Sequence, residues 1–264
     1  MKPYRTKTAG LLLSLALAAG CGGGDEADPA ATPTSAAPTS APAPDPAGTP
    51  PAAGAPSGSA PPSRPGSLLP AGYLPLWPFT DLADSRSLRP DQRRWNLDAG
   101  ATALEFTRAY LGLTGIDRVT SRSVGATEAR IGVGYRSEEG GDHTAAVVHL
   151  FRAAGEPDGP WEVVGTDDTT LSLTVPSYGA RASAPLTVGG RITGVDESLQ
   201  ARLLHPGSGR PLGEYCCLPA GGRNTAWRLT LPYRGEIEEV ATVVVWTGGH
   251  VADVERFAVT GVRP

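Results

Sequence analysis

Lysine is nearly missing from this chain of 264 residues. The two lysines, Lys2 and Lys7, both lie at the start of the sequence, and no lysine follows them. Schiff-base chemistry, Ser–Lys catalysis and the phosphate-binding P-loop all require a lysine side chain. The sequence beyond Lys7 therefore excludes these three kinds of site.

Recognisable catalytic and metal-binding motifs are also missing. The four histidines form neither H-x-H nor H-E-x-x-H, and residues 68–264 contain no G-x-S-x-G nucleophile elbow. Three adjacent carboxylate pairs fall where turns are expected, and such pairs usually face solvent. We predict that the protein is not an enzyme and holds no metal or cofactor. The histidines are His143, His149, His205 and His250, and the carboxylate pairs are Glu138–Glu139, Asp167–Asp168 and Glu238–Glu239.

No apolar run is long enough to span a bilayer as a helix, which takes roughly twenty residues. The longest is residues 9–20, which only Ser14 interrupts. The basic residues Lys2, Arg5 and Lys7 precede it. A positively charged N-terminal region followed by a short apolar region is typical of a secretory signal. We predict that residues 1–20 are a signal peptide.

Cys21 follows directly on Ala18-Ala19-Gly20, and this ending resembles the lipobox of bacterial lipoproteins. In that family the cysteine sulfur receives a diacylglycerol, and a peptidase cuts before the cysteine. The resemblance implies lipid attachment at Cys21 and an extracytoplasmic location on the cell membrane. Ala18 departs from the family, which more often has Leu or Val there. The alternative is a secreted protein cut after an A-x-A-like site, with no role for Cys21.

Acidic residues outnumber basic ones after the signal. The predicted signal contains three of the 23 basic residues. Residues 21–264 therefore carry 20 basic and 27 acidic residues, and their net charge is near −7. This balance argues against a nucleic-acid partner and against a polybasic membrane-binding patch. The preference for Arg over Lys, with abundant Ala, Gly and Pro, predicts a high-GC source such as an actinobacterium.

Residues 21–67 are rich in Gly, Ala, Pro, Ser and Thr and lack apolar periodicity. Such a segment buries too little surface to offset its ordering entropy, so we predict a disordered linker. At about 3 Å per residue in an extended polyproline conformation, it reaches up to about 100 Å from the membrane. It is either a stalk that crosses a cell-wall layer or a passive spacer.

A small α+β domain is predicted over residues 68–175. The aromatic and proline-rich residues 73–79 suggest an extended arm packed on the domain, or alternatively an exposed ligand site. Asp98 is an expected N-cap for a helix that ends near Leu111. Four runs follow that suit an antiparallel sheet buried on one face: residues 118–124, 128–135, 144–152 and 161–165. We predict that residues 167–178 are a connecting segment that crosses from this domain to the next.

Residues 176–264 read as an all-β sandwich of short strands separated by turns. The expected strands are residues 186–193, 199–204, 213–218, 226–231, 240–246 and 254–259, with a turn at 219–224. The entry at 176–180 and 184–191, together with residues 227–233, resembles the immunoglobulin-like domain associated with bacterial spore germination proteins. That resemblance covers about a third of the chain and implies an immunoglobulin-like sandwich in an envelope module, with no reaction attached.

Cys216 and Cys217 are adjacent, which leaves three alternatives open. They form a vicinal disulfide, remain as reduced thiols on opposite faces of a strand, or meet another molecule in a redox or metal role. An extracytoplasmic location favours oxidation. A trans peptide would hold their Cα atoms about 3.8 Å apart, which is below the usual disulfide range.

These observations predict a non-catalytic, monomeric binding or scaffolding protein whose partner is a cell-wall polymer or an envelope protein. The alternative is an envelope enzyme, or an accessory subunit of one, with its site in the cleft between the two domains. A well-formed pocket lined by histidine and acids together would favour the enzyme. A germination or sporulation role is a third hypothesis, which the family resemblance implies.

Overall fold

The computed structural model describes residues 72–78, 95–153 and 159–264, with side chains described throughout except at residues 195–197. All of them belong to one compact unit, residues 56–264. The predicted signal peptide, Cys21 and the whole of the predicted linker fall outside the described residues, and those predictions stand as predictions.

The predicted helix is present and begins where the sequence places its cap. A 3₁₀ turn, Trp95–Leu97, leads into α1, Ala99–Glu105, and a π-helical turn, Phe106–Tyr110, follows. The Oδ1 atom of Asp98 accepts a hydrogen bond from the Ala101 N–H at 2.7 Å, which satisfies one of the unpaired donors at the helix start. Four apolar residues at helical spacing are buried, which is how the helix packs on the sheet, and they are Ala99, Ala103, Phe106 and Tyr110.

A four-stranded antiparallel sheet lies against this helix, in the order β1-β2-β3-β4. Its strands are β1 (Arg118–Val124), β2 (Glu128–Arg136), β3 (Asp142–Arg152) and β4 (Trp161–Asp167), which confirms the four predicted runs to within two residues at each end. Apolar residues alternate along β2, and Ala129, Ile131 and Val133 are all buried in the core that contains the helix residues.

The second sheet contains β5 (Leu171–Val175), β6 (Leu186–Leu204), β7 (Pro211–Leu231), β8 (Ala241–Thr247) and β9 (Arg256–Val262). All pairings are antiparallel, in the order β5-β6-β8-β9, with β7 also paired to β6. One edge of β6 follows β7 along nearly its whole length. The other edge pairs first with β5 and then, from Gln200 to Leu204, with β8.

Three sequence expectations for this sheet were wrong. The four short strands expected between residues 186 and 231 are two long strands, and the expected turn at 219–224 lies inside β7. The residues expected to form the turn lie at bulges, where the register shifts but the pairing of β6 with β7 continues. Among them, Gly222 and Asn224 have positive φ angles of 104° and 52°. The expected crossing segment contains β5, whose buried Leu171 and Leu173 alternate with Ser172 and Thr174.

Strands β8 and β9 are buried on both faces. Val243 and Val245 join a core formed with β5, β6 and β7, whereas Val244 and Trp246 join the core under α1 and the first sheet. The phenol of Tyr110 donates a hydrogen bond at 3.1 Å to the Thr242 hydroxyl, which ties the helical turn to β8, and burial raises the pKa of Tyr110 to about 12.

The described part of the chain is therefore mostly β, with one short helix and antiparallel sheets. The boundary between residues 175 and 176 stays a prediction, and core contacts cross it. Within the described part of the chain, none of the helical segments combines the length and the apolar character needed to cross a bilayer.

We predict that residues 68–264 fold without the signal peptide and linker and remain monomeric. Both hydrophobic cores are built from residues in this range, so no part of either core is lost. Size-exclusion chromatography with light scattering should give the monomer mass, and thermal unfolding should give one cooperative transition. Aggregation of the fragment under conditions in which residues 21–264 stay monomeric would contradict the prediction.

Candidate functional site

A cavity of about 190 Å³ lies where the two sheets meet, and we call it the junction cavity. Five parts of the chain line it: the segment before the first helix, β3, β4, the region around β5, and β9. Its lining residues are Tyr73, His149, Val164, Gly165, Thr166, Leu173, Tyr178, Val259 and Thr260.

The arm of residues 72–78 is held against β4 as a short added strand. The N–H of Leu76 donates to the Val163 carbonyl at 2.9 Å, and the N–H of Val163 donates to the Trp77 carbonyl at 2.8 Å. Leu74, Leu76 and Trp77 are buried, so the expected packing of the arm is confirmed.

Tyr178 fixes the arm from the opposite side of the cavity. Its hydroxyl accepts from the Leu74 N–H at 2.8 Å and donates to the Leu74 carbonyl at 3.2 Å. This pair of bonds occupies both backbone groups of one residue, as a neighbouring strand would. Burial raises the pKa of Tyr178 above its usual value, so the phenol stays neutral and keeps its donor.

Tyr73 stands at the opening of the cavity, because it lines the cavity and is still 36% exposed. Its ring centroid lies 4.5 Å from that of Phe151, 5.6 Å from that of His149 and 6.5 Å from that of Tyr178. Such tilted and edge-on arrangements are favourable for aromatic rings. The aromatic group is thus ordered while part of it remains accessible.

Three of the polar side chains that line the cavity, Tyr178, His149 and Thr166, already have partners. His149 Nε2 lies 2.9 Å from Glu128 Oε1, and the Thr166 hydroxyl accepts from the Val259 N–H at 3.0 Å. Glu128 also pairs with Arg130, whose Nε donates to Asp167 at 2.9 Å. Desolvation acts to raise the pKa of Glu128, but the hydrogen bonds from Arg130 and His149 outweigh it and hold this pKa below its usual value.

No family model, curated protein or solved structure matches the chain. The family resemblances seen in the sequence thus find no support from known proteins, and the function has to be argued from the geometry.

The four histidines are not brought together. His149 alone lines the junction cavity. His143 stacks on Tyr135 in the first sheet, His205 Nδ1 lies 2.7 Å from the Pro206 carbonyl, and the His250 N–H donates to Glu255 at 2.9 Å. Among the described residues, no three His, Cys, Asp or Glu side chains are placed to hold a metal ion.

Cys216 and Cys217 lie in a bulge of β7, where the pairs Leu199–Leu218 and Ala201–Tyr215 enclose both cysteines opposite one residue of β6. Their sulfur atoms are bonded, the peptide bond between them is cis, and their Cα atoms are 3.1 Å apart. Both residues are exposed, whereas simple strand alternation would bury one of them. For the protein in solution the three alternatives remain, namely the vicinal disulfide, the reduced thiols and a redox or metal role with another molecule.

Sequence reasoning missed most of the junction cavity. The sequence indicates Tyr73 only as part of an aromatic arm and Tyr178 only as part of the entry at 176–180, and nothing in it places these residues near Leu173 or Val259. They meet because the arm pairs with β4, Tyr178 binds the arm, and a hydrogen bond joins β4 to β9. The aromatic richness of residues 73–79 was the one usable sign.

Glu162 is a buried carboxylate on the same side of the first sheet as Phe151, its partner across the β3–β4 ladder. It is 6% exposed, and within the described residues no hydrogen bond or ion pair reaches its carboxylate. Burial raises the pKa of Glu162 from 4.5 to about 7.

We predict that Glu162→Gln stabilises the protein at neutral pH. Between 4.5 and about 7 the folded state binds a proton that the unfolded state has released, so the free energy of unfolding falls as pH rises through this window. The loss amounts to up to about 3 kcal/mol, since one pKa unit corresponds to about 1.4 kcal/mol. Urea unfolding of both proteins at about pH 4 and about pH 8 measures the difference.

The exposed Glu236→Gln serves as the matched control and should not reproduce the effect. If the free energies of unfolding of wild type and Glu162→Gln differ by the same amount at both pH values, the raised pKa of Glu162 is contradicted.

We also predict that Cys216 and Cys217 react with a maleimide only after reduction. Both side chains are exposed, so access does not limit the reaction, and the bonded sulfurs lack free thiols. Mass spectrometry of residues 68–264, which contain no other cysteine, should show no label before reduction and two labels after it. Labelling of the untreated protein would establish the reduced pair instead.

Proposed function

We propose that this protein is a lipid-anchored cell-envelope protein that binds a cell-wall polymer without catalysing a reaction. The observation that carries this proposal is the junction cavity, with an ordered and partly exposed Tyr73 at its opening. The linker and the lipid at Cys21 would place that cavity outside the membrane, within reach of the wall.

The size of the cavity favours a group on a larger ligand. Pockets for whole drug-sized ligands span about 300–1,000 Å³, whereas this one measures about 190 Å³. A single sugar ring or a peptide side chain suits that space. Cell-wall polymers present both groups repeatedly, and one anchored group per protein suffices for attachment to an insoluble polymer.

Aromatic rings and polar groups share the lining of the cavity, and Tyr73 is the side chain proposed to make the main contact. Tyrosine offers a large, rigid and amphipathic contact area at low conformational cost. Phe151, His149 and Tyr178 hold the Tyr73 ring in place before a ligand arrives. A preordered side chain reduces the entropy lost on binding.

The engagement of the polar groups supports binding over catalysis. A general base needs a free position toward its substrate, whereas the Tyr178 and Thr166 hydroxyls each make a contact that holds the fold together. No carboxylate lines the cavity, so histidine and acids do not occur together in its wall.

An envelope enzyme, or an accessory subunit of one, is the second candidate. The observation that favours it is the His149–Glu128 pair, since a carboxylate-bound imidazole is a common general base. Glu128 also forms an ion pair with Arg130, so its carboxylate is shared between the imidazole and the guanidinium, which weakens this candidate.

We further propose that β5 to β9 form an immunoglobulin-like sandwich, as the resemblance at residues 176–191 and 227–233 implies. The change of partner along β6, from β5 to β8, supports two layers that share this strand. A germination or sporulation role rests on that resemblance alone.

Sedimentation with purified peptidoglycan tests the binding function. The full chain should pellet with the polymer, and Tyr73→Ala should weaken the affinity by about tenfold or more, as loss of an aromatic anchor does. Val251→Ala is the control, because Val251 is 57% exposed and does not line the junction cavity.

Equal binding by wild type and Tyr73→Ala would contradict the role of the cavity. Failure to retain peptidoglycan or any component of an envelope extract would contradict the binding function. Release of soluble sugar or peptide fragments by wild type, but not by His149→Gln, would instead establish the enzyme.

A further inference from the structure

Cys216 and Cys217 form a surface pair whose disulfide does not hold the fold together. Their sulfur atoms are bonded, and the two residues are neighbours in the sequence. A disulfide stabilises a fold mainly by restricting the unfolded chain, and it does so more strongly when it closes a longer loop. This bond joins no two strands, and neither cysteine belongs to a hydrophobic core. A structural role therefore does not account for it.

The bulge in β7, and not the bond between the sulfur atoms, places both side chains at the surface. The pairs Leu199–Leu218 and Ala201–Tyr215 continue the ladder on both sides of the cysteines, so two residues of β7 stand opposite one residue of β6. Tyr215 and Leu218 pack against the core formed by β5 to β9, whereas both cysteines are exposed. Because the backbone pairing sets this arrangement, both sulfur atoms should stay at the surface when the bond between them opens.

Side-chain contacts beside the bulge anchor this part of the sheet. The Nε of Arg202 on β6 donates to Oε1 of Glu214 on β7 at 2.7 Å. The same guanidinium lies over the ring of Trp246 on β8, 4.9 Å from its centroid. Neither contact involves a cysteine, so both persist when the cysteines change their oxidation state.

The exposed pair suits electron exchange better than metal binding. A structural site for a soft metal such as zinc takes four ligands, and within the described part of the chain no three His, Cys, Asp or Glu side chains are placed to hold an ion. Thiol–disulfide exchange needs only two sulfur atoms and access for an attacking thiolate. Both conditions are met, because the sulfur atoms are bonded and both residues are exposed.

We propose that Cys216 and Cys217 are a redox-active pair that exchanges two electrons with an external dithiol. This site is independent of the proposed wall binding and stands whether or not the protein retains peptidoglycan.

The exchange proceeds in two displacements. One thiolate of the dithiol attacks a cysteine sulfur and forms a mixed disulfide, while the Cys216–Cys217 bond breaks and the other cysteine leaves as a thiolate that takes up a proton. The second thiolate of the dithiol then attacks the dithiol's own sulfur in the mixed disulfide and releases the first cysteine, which is protonated in turn. The pair gains two electrons and two protons, and the dithiol becomes a disulfide.

Reduction of the folded full chain is the first test. Dithiothreitol serves as a small dithiol and reduced thioredoxin as a protein dithiol, and N-ethylmaleimide then labels the free thiols. Mass spectrometry of the peptide that contains Cys216 and Cys217 should show two labels, while the near-UV circular dichroism stays unchanged. Because access does not limit the attack, the rate with dithiothreitol should lie within about tenfold of that in the urea-unfolded chain.

The two reductants distinguish the source of the dithiol. Faster reduction by thioredoxin would assign a dithiol on a protein, and reduction by dithiothreitol alone would assign a small molecule. If neither reduces the pair until urea unfolds the chain, the proposal is overturned.

Closure of the pair is the second test. Glutathione disulfide should convert the reduced wild type into the Cys216–Cys217 disulfide and leave no glutathione on this peptide, because the second cysteine displaces it. The matched variants Cys216→Ser and Cys217→Ser lack that second cysteine, so each should retain one glutathione. Glutathione retained on the wild-type peptide would overturn the proposal.

Urea unfolding separates this role from a structural one. The double variant Cys216→Ser, Cys217→Ser should unfold at the same urea midpoint as wild type, because the bond joins only sequence neighbours. A clearly lower midpoint would assign the disulfide to the stability of the fold and overturn the proposal.

Discussion

The fold depends on the burial of β8 and β9 on both faces. A strand in a typical antiparallel sheet has one face toward the core and one toward solvent. In β8, Val243 and Val245 enter one core while Val244 and Trp246 enter the other, so no face is left for water. These two strands form a wall that both halves of the protein share. Each half would expose a large apolar surface without it, which accounts for core contacts that cross the predicted domain boundary.

The junction cavity is a consequence of this shared wall. Val259 and Thr260 of β9 meet Gly165 and Thr166 of β4 at its edge, and the hydrogen bond from Val259 to Thr166 joins the two strands there. Two twisted sheets that touch along one line diverge on either side of it. The arm fills part of the resulting gap, and Tyr178 holds the arm in place. What remains open is the space beside Tyr73.

Local signals in the sequence sufficed for the first half of the described fold. Asp98 marked the helix start because capping depends on neighbouring residues, and the alternation in β2 marked its buried face. In the second half of the described fold, local sequence signals did not predict the strands correctly, for an identifiable reason. The Gly and Asn residues at 221–224 have the composition of a turn, yet β6 continues to pair with β7 on both sides of them. The pairing partner lies about thirty residues away, and no local pattern reports it. The same argument applies to the junction cavity, since its lining residues run from Tyr73 to Thr260.

Turn residues inside a long strand have a physical meaning of their own. A glycine in a strand weakens it, because it costs entropy and offers no side chain to pack. Here Gly222 and Asn224 supply the backbone conformations that bend β7, and the bend turns one side of the strand toward the other. Gly190 has a related role on β6, where a Cβ atom would lie within 3.1 Å of the Trp227 ring and would collide with the Ser172 carbonyl. The residues that break the strand pattern are thus the residues that shape a cavity and admit an indole beside the backbone. Departures from regular pairing, more than any catalytic motif, are therefore where ligand-binding surfaces should be sought in this protein.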